Sequence, residues 1–156
     1  MRRGAVWTLI SISLWMIIFC AIDQSVKCLI ECRCLINESY DVIPHFFSIC
    51  YVLNTGASWG MLQNSSQFLA ALGILTLFFA YVYILKIDLS RLSSRIIFAC
   101  ALGGILGNTI DRMCREGVVD FLDFYIGQWH WPCFNLADIF ICSSCIFYLL
   151  MCRRKR

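Results

Sequence analysis

Four acidic side chains in the second half of the sequence, Asp111, Asp120, Asp123 and Asp138, are of a type that could cut an amide bond without a metal. Two carboxylates held close together do not readily ionise together; one keeps a proton while the other stays charged. Such a pair supplies a general base for water and an acid for a carbonyl oxygen, with no serine or cysteine nucleophile. Asp111 stands beside Arg112 and reads as an ion-pair partner, and Asp123 reads as solvated. Asp120 lies between Val119 and Phe121, an apolar setting in which desolvation favours the protonated acid. Asp138 falls near the start of the apolar run 134–152, where an uncompensated carboxylate costs about 2.5–3.5 kcal/mol on insertion scales. The residues alone favour Asp120 with Asp138.

Other polar groups gather near the same positions. Asp23 and Lys27 are four apart, so on a helix they share a face and can pair; a structural ion pair and a role at a site both remain open. Asn108, Asp111 and Arg112 are spaced three and four apart, and Asn135 and Asp138 three apart. Asn54 opens the turn signal Asn54-Thr55-Gly56. The guanidinium of Arg112, five donors in a planar fork, suits backbone carbonyls or lipid ester oxygens. Arg112 is therefore expected to bind substrate while Asp111 turns to Lys27 or Arg115, the alternative being an Asp111–Arg112 interfacial anchor. Neither His45 nor His130 has metal-ligand spacing, and no metal or cofactor is expected. Of eleven cysteines, Cys142 and Cys145 read as small packing residues within a span. Cys28, Cys32, Cys34 and Cys50 fall where disulfides could form, with no readable connectivity.

The elements that must position these groups follow from composition. The chain has 156 residues, room for one domain. Hydrophobic residues make up 60% and charged residues 15%, against roughly 45–50% and 25% in soluble chains. A disordered or collagen-like chain is excluded, and so few charges could not cover a small soluble domain. Uncharged or nearly uncharged runs at about 5–22, 68–85, 96–112 and 134–152 approach the ~20 residues needed to cross a bilayer. A single all-α membrane domain over 1–156 is expected, with four transmembrane helices and external segments at about 23–67 and 113–133. The first run is too long for the apolar core of a cleaved signal peptide. A small external β-rich segment is expected between helices 1 and 2, where Tyr40–Leu53 is rich in Ile, Val, Phe and Tyr. The second external segment has a similar character, ending in Trp129-His130-Trp131-Pro132, rings suited to the headgroup layer.

Charge sets the expected orientation. Arg2 and Arg3, then Lys86, Arg91 and Arg95, then Arg153, Arg154, Lys155 and Arg156 flank the spans with only Asp88 among them. Basic loops stay in the cytoplasm, which places both termini and the 86–95 loop inside and the polar groups at the outer face. The basic C-terminal tail reads as a topology anchor, not a nucleic-acid patch.

Five motifs then make the chain recognisable: Asp23-Gln24-Ser25-Val26-Lys27; Asn54-Thr55-Gly56-Ala57-Ser58-Trp59-Gly60; Gly103-Gly104-Ile105-Leu106-Gly107-Asn108-Thr109-Ile110-Asp111-Arg112; Gly117-Val118-Val119-Asp120-Phe121; and Phe134-Asn135-Leu136-Ala137-Asp138. In type and order they resemble the lipoprotein signal peptidase (signal peptidase II) family. The one departure is Trp59, where that family usually carries Phe. The resemblance implies an aspartic endopeptidase of the bacterial inner membrane. It would cleave diacylglyceryl-modified prolipoproteins just before the lipidated cysteine. Asp120 and Asp138 would be catalytic, with Asn54, Asn108, Arg112 and Asn135 binding substrate and Asp23, Lys27, Gly56, Asp111 and Ala137 in support. It further implies a monomer among membrane lipids, inhibited by globomycin. A transporter using the same acids as a proton relay would need polar groups at mid-membrane on several helices, where these spans are apolar.

Overall fold

The computed structural model describes residues 3–57, 59, 61–84 and 89–153. Ser58 and Gly60 of the second motif, Leu85 at the end of the second expected span, and Arg2, Lys86, Asp88 and Arg154, Lys155 and Arg156 of the charge pattern lie outside the described residues.

Four helices carry the fold: α1 (Arg3–Arg33), α2 (Ser66–Ile84), α3 (Leu92–Cys114) and α4 (Leu136–Arg153). All four contain stretches long and apolar enough to cross a membrane. Helix α3 is central and packs on each of the others. It can approach closely because of its glycines. A Cβ on Gly103 would meet the Met16 carbonyl of α1, and one on Gly104 the Ala137 carbonyl of α4. Small residues let helix backbones come together in a lipid environment, where apolar side chains gain nothing from leaving water. Ile12, Ile84, Leu89, Ala99 and Leu102 form the buried core among α1, α2 and α3. Leu14, Ile17, Phe78, Phe79 and Leu149 point outward, each more than half exposed, which makes a lipid-facing belt.

The first helix differs from expectation. It does not end near Ile22 but continues through Asp23, Lys27 and Glu31 to Arg33. At ~1.5 Å per residue the whole helix is roughly 46 Å long, more than the ~30 Å hydrocarbon core. Asp23 and Lys27, which look like an exit from the membrane, are turned inward and fully buried. Ile30 on the extension is buried with Val119 and Phe121, so the last turns of α1 pack on the external sheet. The third helix is also longer than 96–112. Arg95 is tolerated in its first turns because its guanidinium folds back onto the Leu89 and Ser90 carbonyls at 2.7 and 3.1 Å.

The external sheet has four strands, β1 (Ser39–Ile43), β2 (Phe47–Asn54), β3 (Val118–Ile126) and β4 (Trp129–His130), in that order and antiparallel. Its β-rich character between α1 and α2 is as expected, but β3 and β4 come from the segment between α3 and α4. Pro44 sits in the short turn between β1 and β2, where its missing N–H leaves no ladder bond unmade. The pairing of β2 with β3 sets Asn54 opposite Val118 and Val52 opposite Asp120. A register shift between Ile49 and Val52 marks a bulge at Cys50 and Tyr51.

Candidate active site

Asp120 is 3% exposed on β3, at the junction of sheet and helices. The Asn54 amide, at the end of β2, donates to its Oδ2 at 3.0 Å, and the Asn135 amide donates to its Oδ1 at 2.7 Å. Burial pushes this carboxyl up to about 7; Asp138 adds to the rise, and the two asparagine hydrogen bonds oppose it.

Asp138 is placed by the start of α4. Asn135 precedes the helix and accepts from the Asp138 N–H at 3.1 Å, while Asp138 Oδ2 accepts from the Asn135 N–H at 3.2 Å. This reciprocal arrangement is a capping box. It sets the carboxylate among otherwise unpaired N–H groups at the positive end of a helix, and so offsets the cost expected for an acid near an apolar span. Asn108 of α3 donates to the other oxygen, Oδ1, at 2.9 Å. The Asn135 amide reaches Asn108 Oδ1 as well, at 3.2 Å. The two carboxylates are thus joined through Asn108 on α3 and Asn135 at the cap of α4.

A buried ion network lies beneath. Lys27, fully enclosed, donates to Asp23 Oδ2 at 2.8 Å, Asp111 Oδ2 at 2.7 Å and Asn108 Oδ1 at 2.8 Å. Three donors and three acceptors leave no ammonium proton unmatched. Asp23 Oδ1 accepts from the Ala137 N–H at 2.9 Å, a second cap on α4. Gly107 makes room for that carboxylate, since a Cβ there would lie 2.5 Å from Asp23 Oδ2. Asp111 also takes Arg115 Nη1 at 2.8 Å and the Val119 N–H at 3.2 Å. It therefore ties α3 to the strand that carries Asp120, and its ion pairs run to Lys27 and Arg115 instead of Arg112.

Arg112 donates to the Asn108 carbonyl and the Gly56 carbonyl, both at 3.2 Å. Its Nε is buried without a partner. Gly56 is held by the Asn54 side chain, which accepts from its N–H at 3.0 Å, and the backbone of residues 61–63 leaves no space for a Cβ there. Trp59 lies on the outer rim and packs edge-on against Trp131, ring centres 5.4 Å apart. Asp123, on the opposite face of β3 from Asp120 by strand alternation, pairs with His130 at 3.0 Å. Among the described residues, no three His, Cys, Asp or Glu side chains converge as metal ligands.

Comparison with known proteins gives the family. The family model described as Signal peptidase (SPase) II matches residues 15–153. The chain belongs to the signal peptidase II family. Similar curated relatives are the lipoprotein signal peptidases of Syntrophotalea carbinolica, 40% identical over 135 residues with 83% of each chain covered, and of Symbiobacterium thermophilum, 37% identical over 123 residues with 79% of this chain and 81% of that one covered. A bacterial membrane enzyme solved by the in meso method at 2.3 Å superposes with a TM-score of 0.81 at 30% identity, covering 92% of this chain and 87% of that one. The chain is thus a member of a peptidase family and a multi-pass membrane protein.

Within this signal peptidase II, the sequence-predicted site residues Asp23, Lys27, Asn54, Gly56, Asn108, Asp111, Arg112, Asp120, Asn135, Ala137 and Asp138 form one connected set of contacts. The contacts of Gln24 and Glu31 go beyond the sequence reading. Gln24 donates to Asp111 Oδ1 at 2.7 Å and to the Gly107 carbonyl at 3.1 Å. Arg115 and Glu31 form a two-pronged pair at 2.8 and 2.9 Å. Glu31 lies two turns beyond Asp23 on the part of α1 that runs past the expected span, and no local spacing links it to Arg115.

Proposed function

We propose that this chain is an aspartic endopeptidase that removes the signal peptide from prolipoproteins already carrying diacylglycerol, cutting just before the lipidated cysteine. The observation that carries this reading is the pair of carboxylates, Asp120 and Asp138, joined through Asn108 and Asn135 at one end of the helical bundle. Similar proteins named lipoprotein signal peptidases supply the substrate class.

The chemistry divides between the two acids. Asp120, pushed up to about 7 by burial, holds the proton and gives it to the carbonyl oxygen of the scissile bond. Asp138, at the helix N-terminus, takes a proton from water as the water oxygen attacks the carbonyl carbon. The tetrahedral adduct then collapses, the C–N bond breaks, and the amine leaves with the proton held by Asp138. Asp120 regains its proton from the adduct's hydroxyl. Asn54, Asn108 and Asn135 orient the carboxylates. An amide nitrogen carries two N–H groups, so the second on Asn54 and on Asn108 serves a substrate carbonyl. Arg112 presents its unpartnered Nε to the peptide backbone. Asp23, Lys27, Asp111, Gly56 and Ala137 hold this arrangement in place.

The site faces the outer side of the bacterial inner membrane, with both termini in the cytoplasm. The peptide enters laterally while the acyl chains stay in lipid. The enzyme works as a monomer without cofactor, and globomycin occupies the same groove. The test is cleavage of a diacylglyceryl precursor and its unlipidated counterpart by the purified chain and by Asp138→Asn. Release of signal peptide from the lipidated precursor alone, abolished by the substitution, is expected. Equal cleavage of both precursors overturns the substrate class, and an active Asp138→Asn overturns the mechanism.

A further inference from the structure

Cys50 and Cys133 are far apart in sequence yet meet across the strand that carries Asp120. Their Sγ atoms are 2.8 Å apart, against about 2.05 Å in a disulfide. Cys50 is buried and Cys133 half-buried. Bulges re-aim side chains, and the bulge at Cys50 and Tyr51 lies across from the Phe121 region of β3. On the far side of β3, residue 134 bonds back to it: the N–H groups of Phe121 and Leu122 both donate to the Phe134 carbonyl, at 3.0 and 2.9 Å. The two thiols therefore flank the part of β3 that follows Asp120. Cys50 lies four residues before Asn54, and Cys133 two residues before Asn135. Those two asparagines hold the two oxygens of Asp120.

We propose that Cys50 and Cys133 form a disulfide that ties β2 to the segment entering α4 and fixes the two asparagine supports of Asp120 relative to each other. The oxidant is a dithiol–disulfide oxidoreductase on the outer side of the membrane, an oxidising compartment. The half-buried Cys133 attacks the oxidant's disulfide as the thiolate and displaces one of its sulfurs. Cys50 then attacks Cys133 Sγ, forming the S–S bond and releasing the second sulfur. Two electrons and two protons pass to the oxidant, which leaves as a dithiol. The hydrogen bond with Cys50, and then burial, hold the Cys133 thiol above its ordinary pKa, so exchange with a dedicated oxidant before the sheet closes suits the pair better than slow reaction in the folded state. The proposal is independent of the peptidase mechanism, but rests on the outward orientation of the sheet.

The test uses the full chain in membranes from an oxidising host compartment, quenched with acid. Free thiols are blocked with one maleimide, and a second maleimide of different mass is added after reduction. Cys50 and Cys133 should carry only the second label, and an unreduced digest should contain their two peptides joined. In Cys133→Ser, Cys50 should carry the first label. Both residues bearing the first label in the unmodified chain, or Cys50 joined to a different cysteine, overturns the proposal. An impermeant maleimide applied to intact spheroplasts separates this failure from a failure of orientation: labelling of the exposed Cys32 from outside together with a free Cys50–Cys133 pair refutes the disulfide itself. Labelling of Cys152 in place of Cys32 refutes the orientation, and the disulfide with it.

Discussion

Asp120 and Asp138 are chemically identical but differently housed, and that difference organises the expected behaviour of single residues. Asp120 is buried on a strand between two amides, and Asp138 sits in a capping box. Asp120→Asn or Asp138→Asn should leave an inserted, folded protein with kcat lower by about 10²–10⁴-fold, read by precursor cleavage alongside protein yield. Asp123→Asn is the contrast and should keep its activity, because Asp123 faces His130 across the other side of β3. If Asp120 donates its proton, activity falls as pH rises through about 7, where that proton is lost. The Asn54 hydrogen bond favours the charged form, so Asn54→Ala raises the carboxyl's pKa further and should move the alkaline limb of kcat/KM to higher pH. An alkaline limb that stays in place or moves down would be the wrong sign. Lys27 serves the same site from below. Lys27→Met leaves Asp23 and Asp111 facing each other in a buried space, and breaking a buried pair in this way costs about 3–5 kcal/mol, measurable as a lowered thermal midpoint in detergent.

At the scale of elements, α3 is the helix on which the others are assembled, and its glycines are contact points. Gly107→Ala would drive a methyl into the Asp23 carboxylate that caps α4. Overpacking of this kind costs roughly 1–3 kcal/mol and here also displaces a charge from Lys27, so thermal stability and activity should fall together. Gly127 is the opposite case. Nothing lies within 4 Å of a Cβ built there, and its φ of +62° is one that Asn adopts with little strain. Gly127→Asn should therefore leave the melting midpoint nearly unchanged.

For the whole molecule, membrane and sheet are joined by one continuous helix. The extension of α1 carries Asp23 and Lys27 into the ion network and Ile30 into the core beneath β3. A site built where bundle and sheet meet suits the proposed lateral entry of a peptide whose acyl chains stay in lipid. The orientation that this requires is measurable. A reporter active only after export, fused after residue 114, should be active, and the same reporter fused after residue 156 should be silent. The reverse pattern would place the site on the cytoplasmic side.

The number of spans and the motifs at one end of them were legible in the sequence because hydropathy runs and i, i+3 and i, i+4 spacings are local properties of the chain. Asp23 with Lys27, and Asn108 with Arg112, could be assigned to shared helix faces from spacing alone, and the strand-rich stretch around Tyr40–Leu53 announced itself by composition. Local signals mislead where a helix can continue once its charges are paired. Asp23 and Lys27 read as the end of the first helix, but Asp111 of α3 pairs with Lys27, Arg115 pairs with Glu31, and the helix runs to Arg33. Tertiary structure alone decided that β3 joins a sheet begun by β1 and β2, that Asp111 takes Lys27 and Arg115 together where the sequence offered one or the other, that Asp23 caps a helix whose first turn is more than a hundred residues away, and that Cys50 meets Cys133. The partners in each case come from different helices or strands. Their meeting depends on how closely α1 and α4 pack against the glycines of α3 and on where a bulge falls in β2, distances that no periodicity along the chain encodes.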